Sequence, residues 1–192
     1  MIPLKTSRLY RILRPIITFL VKVFIRPKYI GLNNIPKNKC ILAGTHTHNL
    51  DSVILLSSTK ETIHFLAKKE LCDGFFGFLF KRMGIIPVKR DGHDHDALVD
   101  AKKCLKNNQV IGIFPEGTTQ KGRGLLPFKI GAVKMAYDTK SPIIPFVIKG
   151  KYRLFSKDLK IVFEKPIMIK NDDLEKENIR FRKIIIKMLE DE

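Results

Sequence analysis

Cys40-Ile41-Leu42-Ala43-Gly44-Thr45-His46-Thr47-His48-Asn49-Leu50-Asp51 begins as an unbroken apolar run and ends in a polar cluster. A short apolar run that closes on a polar turn reads as a strand buried on both faces, the kind found where helices cover both sides of a sheet. Helical spacing follows over 52–58. Working outward, strands are predicted over 63–67, 85–89, 110–114, 143–148 and 160–163, and helices over 70–83, 94–106, 128–137 and 172–189. Strands alternating with helices predict an α/β fold with a mainly parallel central sheet flanked by helices. No internal repeat competes with that reading. Ligands of such sheets bind at the carboxyl ends of the strands. Polar clusters at 46–51, 89–91 and 116–119 each follow a predicted strand, so one edge of the sheet is expected to gather them.

The first cluster carries the clearest chemistry. An imidazole acting as a base needs a carboxylate on its other ring nitrogen, which fixes the tautomer and steadies the imidazolium. His46 and Asp51, five residues apart, supply that pair. In the third cluster, Phe114-Pro115-Glu116-Gly117-Thr118-Thr119, Pro and Gly enforce a sharp exit from the strand and preset Glu116 and two hydroxyls. A carboxylate so placed suits a substrate hydroxyl or an Arg. Lys121-Gly122-Arg123-Gly124 follows, a cationic loop suited to phosphate or simply solvated. In the second cluster, Lys89 and Arg90 end a strand; the planar fork of an Arg matches a phosphate.

A formal net charge of +17 in 192 residues calls for an anionic partner: nucleic acid, an anionic bilayer surface or a phosphorylated small molecule. Asp51 is the first acidic residue, so Lys5, Arg8, Arg11, Arg14, Lys22, Arg26, Lys28, Lys37 and Lys39 stand uncompensated. Within 1–28, Leu9, Ile12, Leu13, Ile16, Leu20, Val23 and Phe24 recur at helical spacing opposite basic residues, which predicts a basic amphipathic helix. Pro15 either kinks it or marks its first turn. The apolar stretch is too short to span a bilayer and no cleavage site follows it. A helix lying in the headgroup plane of an anionic membrane is expected, with packing over the domain's own sheet as the alternative. The division predicted is a membrane-associating segment, 1–28, and one domain, 29–192.

Cys40, Cys72 and Cys104 show no zinc or redox spacing and read as small buried hydrophobes in a reduced compartment. His93-Asp94-His95-Asp96 looks like a metal cluster but lacks a distant further ligand. His64 lies in an apolar strand and reads as a core histidine. The Phe-rich stretch at 75–80 reads as helix core, with an acyl groove or bilayer contact as the alternative. Neither a metal nor a nucleotide cofactor is expected.

Four blocks in order resemble the glycerolipid acyltransferases of the PlsC type: His46 and Asp51; Gly84, Ile86, Val88, Lys89 and Arg90; Phe114 to Thr118; and Ile144 with Pro145. The likeness spans 43–148. Thr45 and His48 depart from the Asn and Ser usual around the family's His. The resemblance implies acyl transfer from a thioester, on acyl carrier protein or CoA, to the sn-2 hydroxyl of 1-acyl-sn-glycerol-3-phosphate (lysophosphatidic acid), giving phosphatidic acid at the cytoplasmic face of a membrane. It implies His46 as base and Asp51 as its partner. Lys89 and Arg90 would bind the acceptor's phosphate, and Glu116, Gly117 and Thr118 its glycerol portion.

No GxSxG elbow is present, so direct attack is expected in place of an acyl-enzyme. Backbone amides at the helix start after His46 are candidate oxyanion donors. Rival expectations are an acyltransferase acting on glycerol-3-phosphate or another lysophospholipid, an inactive lipid-binding relative, and a nucleic-acid-binding protein. The last lacks any recognised motif and any interleaving of aromatic with basic residues.

Overall fold

The computed structural model describes residues 7–75, 77–89, 95–120 and 122–191. Seven strands form one sheet: β1 (Lys28–Ile30), β2 (Cys40–Gly44), β3 (Ile63–Lys68), β4 (Ile86–Val88), β5 (Val110–Ile113), β6 (Ile143–Lys149) and β7 (Lys160–Phe163). Their order is β1-β7-β6-β2-β5-β3-β4. All neighbours run parallel except β6 and β7, which are antiparallel. The predicted α/β class with a mainly parallel sheet flanked by helices is therefore the architecture found.

β2 lies in the middle of the sheet, and its side chains alternate between two cores although every one is apolar or small. Ile41 and Ala43 face a cluster with α5 (His95–Lys106), α6 (Gly131–Thr139) and α7 (Leu174–Glu190), through Ala101, Leu105, Val133, Phe181 and Ile185. Cys40 and Leu42 face a second cluster with α1 (Arg8–Leu20) and α2 (Asp51–Leu56), through Tyr10, Ile54 and Leu55. A strand with both faces covered has no solvent side, which is why it reads as a continuous apolar run.

Local differences from the sequence reading have identifiable causes. The helix expected over 70–83 is split into α3 (Lys69–Asp73) and α4 (Gly77–Arg82). Gly77 donates its N–H to the Gly74 carbonyl at 2.7 Å, and a β-carbon on Gly77 would stand 2.0 Å from the Cys72 carbonyl oxygen. Phe75 is 96% exposed and Phe78 69%, so these two are not helix core. α6 starts at Gly131, later than the spacing suggested. Its approach is held elsewhere: Lys129 N–H donates to Pro115 O, and Phe128 O accepts from the Asn178 amide. β1 was not anticipated; three residues between Pro27 and Gly31 give too short a pattern.

α1 is continuous through Pro15, with Ser7 Oγ accepting from Tyr10 N–H at its start, so Pro15 is not in the first turn. A π-helical turn, Val21–Ile25, follows and ends at Arg26 in the left-handed region. The helix docks on the domain by one edge. Tyr10 and Val21 are buried, and Tyr10 Oη accepts from Ile63 N–H at 3.1 Å. Ile12, Ile16, Phe19, Leu20 and Phe24 remain exposed. Among the described residues no helix is long and apolar enough to cross a membrane.

Candidate active site

The loop leaving β2 is shaped before it reaches the histidine. Gly44 is the last strand residue, and a β-carbon there would stand 1.9 Å from Phe146 O, so only glycine lets β2 and β6 approach so closely. Thr45, next along, is fully buried. Its hydroxyl oxygen accepts Ile148 N–H at 3.0 Å, while its own N–H donates to Phe146 O at 3.3 Å. The residue that departs from the family's usual Asn thus extends the β2–β6 ladder by one side-chain bond.

His46 and Asp51 come together as the spacing predicts. His46 Nδ1–H donates to Asp51 Oδ2 at 2.9 Å. A carboxylate only accepts, so Nδ1 carries the proton and Nε2 is left as the basic nitrogen. The imidazole stacks on the Phe114 ring, with centroids 4.2 Å apart.

Asp51 is 0% exposed and begins α2. Its Oδ2 also accepts Thr47 N–H at 2.6 Å and His48 N–H at 2.8 Å. Its Oδ1 accepts Thr47 Oγ1–H at 3.3 Å and the hydroxyl of Tyr152. A buried carboxylate needs such partners, and this one organises the whole 46–51 turn around itself. The amides of Thr47 and His48 are therefore consumed by Asp51.

His48 is exposed and differently placed. Its Nδ1 accepts Leu50 N–H at 3.1 Å, and its ring stacks on Tyr152 at 4.3 Å. Among the described residues it is His46, not His48, whose ring is paired with a carboxylate.

Glu116 joins the loop after β5 to the loop after β2. Its Oε1 accepts His46 N–H at 2.9 Å and the Gln120 side-chain amide at 2.9 Å, and its Oε2 accepts Leu126 N–H at 2.9 Å. Gln120 N–H adds a bond to His46 O at 2.8 Å. The sequence reading gave Glu116 to substrate; the structure has it buried and turned toward protein donors, as a brace behind His46. Gly117, at φ +69°, is exposed, and Thr118 is half-buried beside it. Lys89 is exposed just past β4, on the carboxyl edge shared with β2, β5 and β3. Arg90 lies outside the described residues, as do Asp91, His93, Asp94, Phe76 and Lys121. Among the described residues no group of three or more His, Cys, Asp or Glu forms a metal cluster.

Sequence reasoning missed Tyr152 and Gln120. Tyr152 stands about one hundred positions from its partner, and no spacing rule announces a contact of that range. Gln120 was within reach, since it sits four residues after Glu116 in a turn that must close. The three cysteines are free and buried. Burial, with Glu61 nearby, pushes the Cys40 thiol up to about 12. Burial, with Asp100, pushes Cys104 up to about 11, and burial also raises Cys72. Thiols held protonated are poor nucleophiles. His64 is buried, donates Nδ1–H to Gly84 O at 2.8 Å, and is held neutral by desolvation.

Comparison with known proteins places the chain in a family. A family model described as Acyltransferase matches residues 26–149. A 1-acyl-sn-glycerol-3-phosphate acyltransferase of Borreliella burgdorferi is 31% identical over 177 residues, covering 83% of this chain and 70% of the relative. One of Bacillus subtilis is 30% identical over 147 residues, covering 73% of each chain. A probable one of Mycoplasma pneumoniae is 28% identical, covering 74% of this chain and 56% of its own. Several of these relatives are longer: the chain spans 48% of the Brassica napus enzyme and 50% of that of Haemophilus influenzae. The crystal structure of PlsC, the 1-acyl-sn-glycerophosphate acyltransferase of Thermotoga maritima, shares the fold with a TM-score of 0.74 at 21% identity, covering 95% of this chain and 82% of that one. The chain belongs to the acyltransferase family, with the family's domain at 26–149 and the His46–Asp51 pair inside it.

Proposed function

We propose that this protein transfers a fatty acyl group from a thioester to the sn-2 hydroxyl of 1-acyl-sn-glycerol-3-phosphate, giving phosphatidic acid for phospholipid synthesis. The observation that carries the reading is the His46–Asp51 pair, with Nδ1 tied to a buried carboxylate and Nε2 left basic at the carboxyl edge of the sheet. The names of the relatives supply the acceptor. Nε2 takes the hydroxyl proton as the oxygen attacks the thioester carbonyl. The C–S bond then breaks, and the imidazolium returns the proton to the departing thiolate. Asp51 steadies that imidazolium. Thioester and ester carbons share one oxidation level, so the reaction needs no redox cofactor. With the cysteines held as thiols, direct transfer is favoured over an acyl-enzyme.

In this reading Lys89 and Arg90 receive the acceptor's phosphate, and Gly117 with Thr118 border its glycerol portion. Glu116 acts at one remove, by fixing the His46 backbone. Residues 1–28 form the membrane-associating segment and 29–192 the catalytic domain. The protein lies peripherally on the cytoplasmic face of an anionic membrane. Support comes from the exposed Ile12, Ile16, Phe19 and Leu20 on α1, alongside Arg8 and Arg11, and from Phe75 and Phe78 in the segment that leaves the carboxyl end of β3. The +17 charge suits both anionic lipid and an acidic acyl carrier protein as donor.

The test is a matrix of acceptors and donors. Lysophosphatidic acid, glycerol-3-phosphate and lysophosphatidylcholine are each offered with acyl carrier protein and CoA thioesters. Preferred turnover of lysophosphatidic acid is expected; preference for another acceptor would replace the substrate assignment while keeping the chemistry.

A further inference from the structure

The connection between β6 and β7, residues 150–158, reaches both the His46–Asp51 pair and an exposed apolar tip. Its ends are pinched together. Gly150 has φ +90°, and a β-carbon there would stand 2.2 Å from Asp158 O. Arg153 Nη1 lies 3.8 Å from Asp158 Oδ2 across the connection. Near its root, the Tyr152 hydroxyl donates to Asp51 Oδ1 and the Tyr152 ring stacks on His48. At its tip, Leu154 is 71% exposed and Phe155 57%.

Phe155 is unusual in a second way. It holds φ +59°, where a bulky side chain is disfavoured and glycine or asparagine is ordinary. The side chain nevertheless stays more than half exposed, open to a partner outside the fold. That conformation sets Phe155 beside Phe24, with rings 5.6 Å apart, and Phe155 N–H donates to Phe24 O at 2.6 Å. Phe24 is itself exposed in the turn that follows α1. The tip thus continues the apolar stripe of Ile12, Ile16, Phe19 and Leu20. Exposed Lys151, Arg153 and Lys157 flank it, with Lys22 and Arg26 on the neighbouring turn. Apolar side chains ringed by cations match the acyl layer and anionic headgroups of a bilayer.

We propose that residues 150–158 are a second lipid-contacting element, in which Leu154 and Phe155 enter the acyl layer beside Phe24 while Tyr152 holds Asp51 in register with His46. The inference rests on the reading of His46 as the base. Tyr152 is a positioning residue. Its hydroxyl reaches Asp51 and its ring reaches His48, so it never needs to touch substrate. Titratable groups around the His46 ring and its loop are Asp51, Glu116, His48 and Tyr152 itself. A phenol hydrogen bond draws charge from Asp51; without it, more of that charge is left to the imidazolium.

The experiment uses the full chain in four forms: wild type, His46→Ala, Tyr152→Phe and Leu154→Ser/Phe155→Ser. Turnover is followed against pH, and binding by sedimentation with phosphatidylglycerol vesicles. Tyr152→Phe keeps the ring and its stacking. It is expected to lose about tenfold or more in kcat with acceptor KM changed less than about threefold, and to move the acid limb of kcat/KM to higher pH. The Ser double variant is expected to bind vesicles several-fold more weakly. Wild-type rate, or a lowered rate with an unmoved acid limb, in Tyr152→Phe would overturn the positioning role. Unchanged vesicle binding by the double variant would overturn the lipid contact. If His46→Ala keeps its turnover, the base assignment itself fails; if His46→Ala is inactive while Tyr152→Phe is normal, only the present inference fails.

Discussion

Replacing Asp51 by Asn removes one negative charge and almost nothing else. The carboxamide oxygen can occupy the place of Oδ2 and still accept from His46 Nδ1–H, Thr47 N–H and His48 N–H. Its NH2 then faces the hydroxyls of Tyr152 and Thr47, both of which can turn to accept. The turn and the tautomer survive, so the change isolates the charge. Taking a charge separation of about 4 Å and an effective dielectric of about 20, the lost attraction to the imidazolium is about 4 kcal/mol. At about 1.4 kcal/mol per tenfold in rate, that is a ~1000-fold ceiling. His46 is half-buried and partly screened by water, which lowers the floor to about 30-fold. The assay is steady-state acyl transfer to lysophosphatidic acid, with circular dichroism and thermal unfolding as folding controls. A fall in kcat of ~30- to ~1000-fold with a near-native acceptor KM is expected. A folded Asp51→Asn protein within about threefold of wild type would refute the idea that the buried carboxylate supports a proton transfer.

Glu116→Ala strips acceptors from His46 N–H, the Gln120 amide and Leu126 N–H, and is expected to cost about 2–4 kcal/mol of stability as well as at least tenfold in turnover. Thermal unfolding decides: a higher acceptor KM with unchanged stability would instead favour the substrate contact the sequence suggested. His64 titrates below its ordinary 6.5 because burial disfavours its charged form, so the unfolded chain takes up its proton first as pH falls. The stability contributed by neutral His64 is full above about pH 6.5 and is lost progressively below it. Unfolding midpoints from pH 7 to 5 should fall more steeply for wild type than for His64→Asn. Gly84→Ala places a β-carbon 2.6 Å from His64 Nδ1 at φ +81° and should destabilise by about 1–3 kcal/mol, read as a lowered Tm.

What the sequence made legible follows the range of the interactions. β2, β5 and β6 are buried on both faces, and their apolar runs mark them almost to the residue. The His46–Asp51 pairing was equally visible because both residues lie in one turn closed by local amides. The break between α3 and α4 is flanked by Gly74 and Gly77, whereas the Phe-rich stretch reads in sequence as one helix. Exposed Phe75 and Phe78 show that such a stretch reports amphipathicity without naming the phase that covers it. Glu116 was found as a residue but its protein partners were not, because which donors face a carboxylate depends on loops that meet only in three dimensions. Tyr152 lay beyond reach for the same reason. It comes to Asp51 through the β2–β6 pairing, and nothing near either residue encodes the contact.

The central claim is that Nε2 of His46 takes the acceptor's proton. Parallel turnover measurements on His46→Ala and His48→Ala, with radiolabelled lysophosphatidic acid and an acyl thioester, test it most directly. Loss of at least ~100-fold in His46→Ala, with substantial activity kept in His48→Ala, is the result expected. Near-native turnover by folded His46→Ala, or the reverse ranking of the two variants, would contradict it.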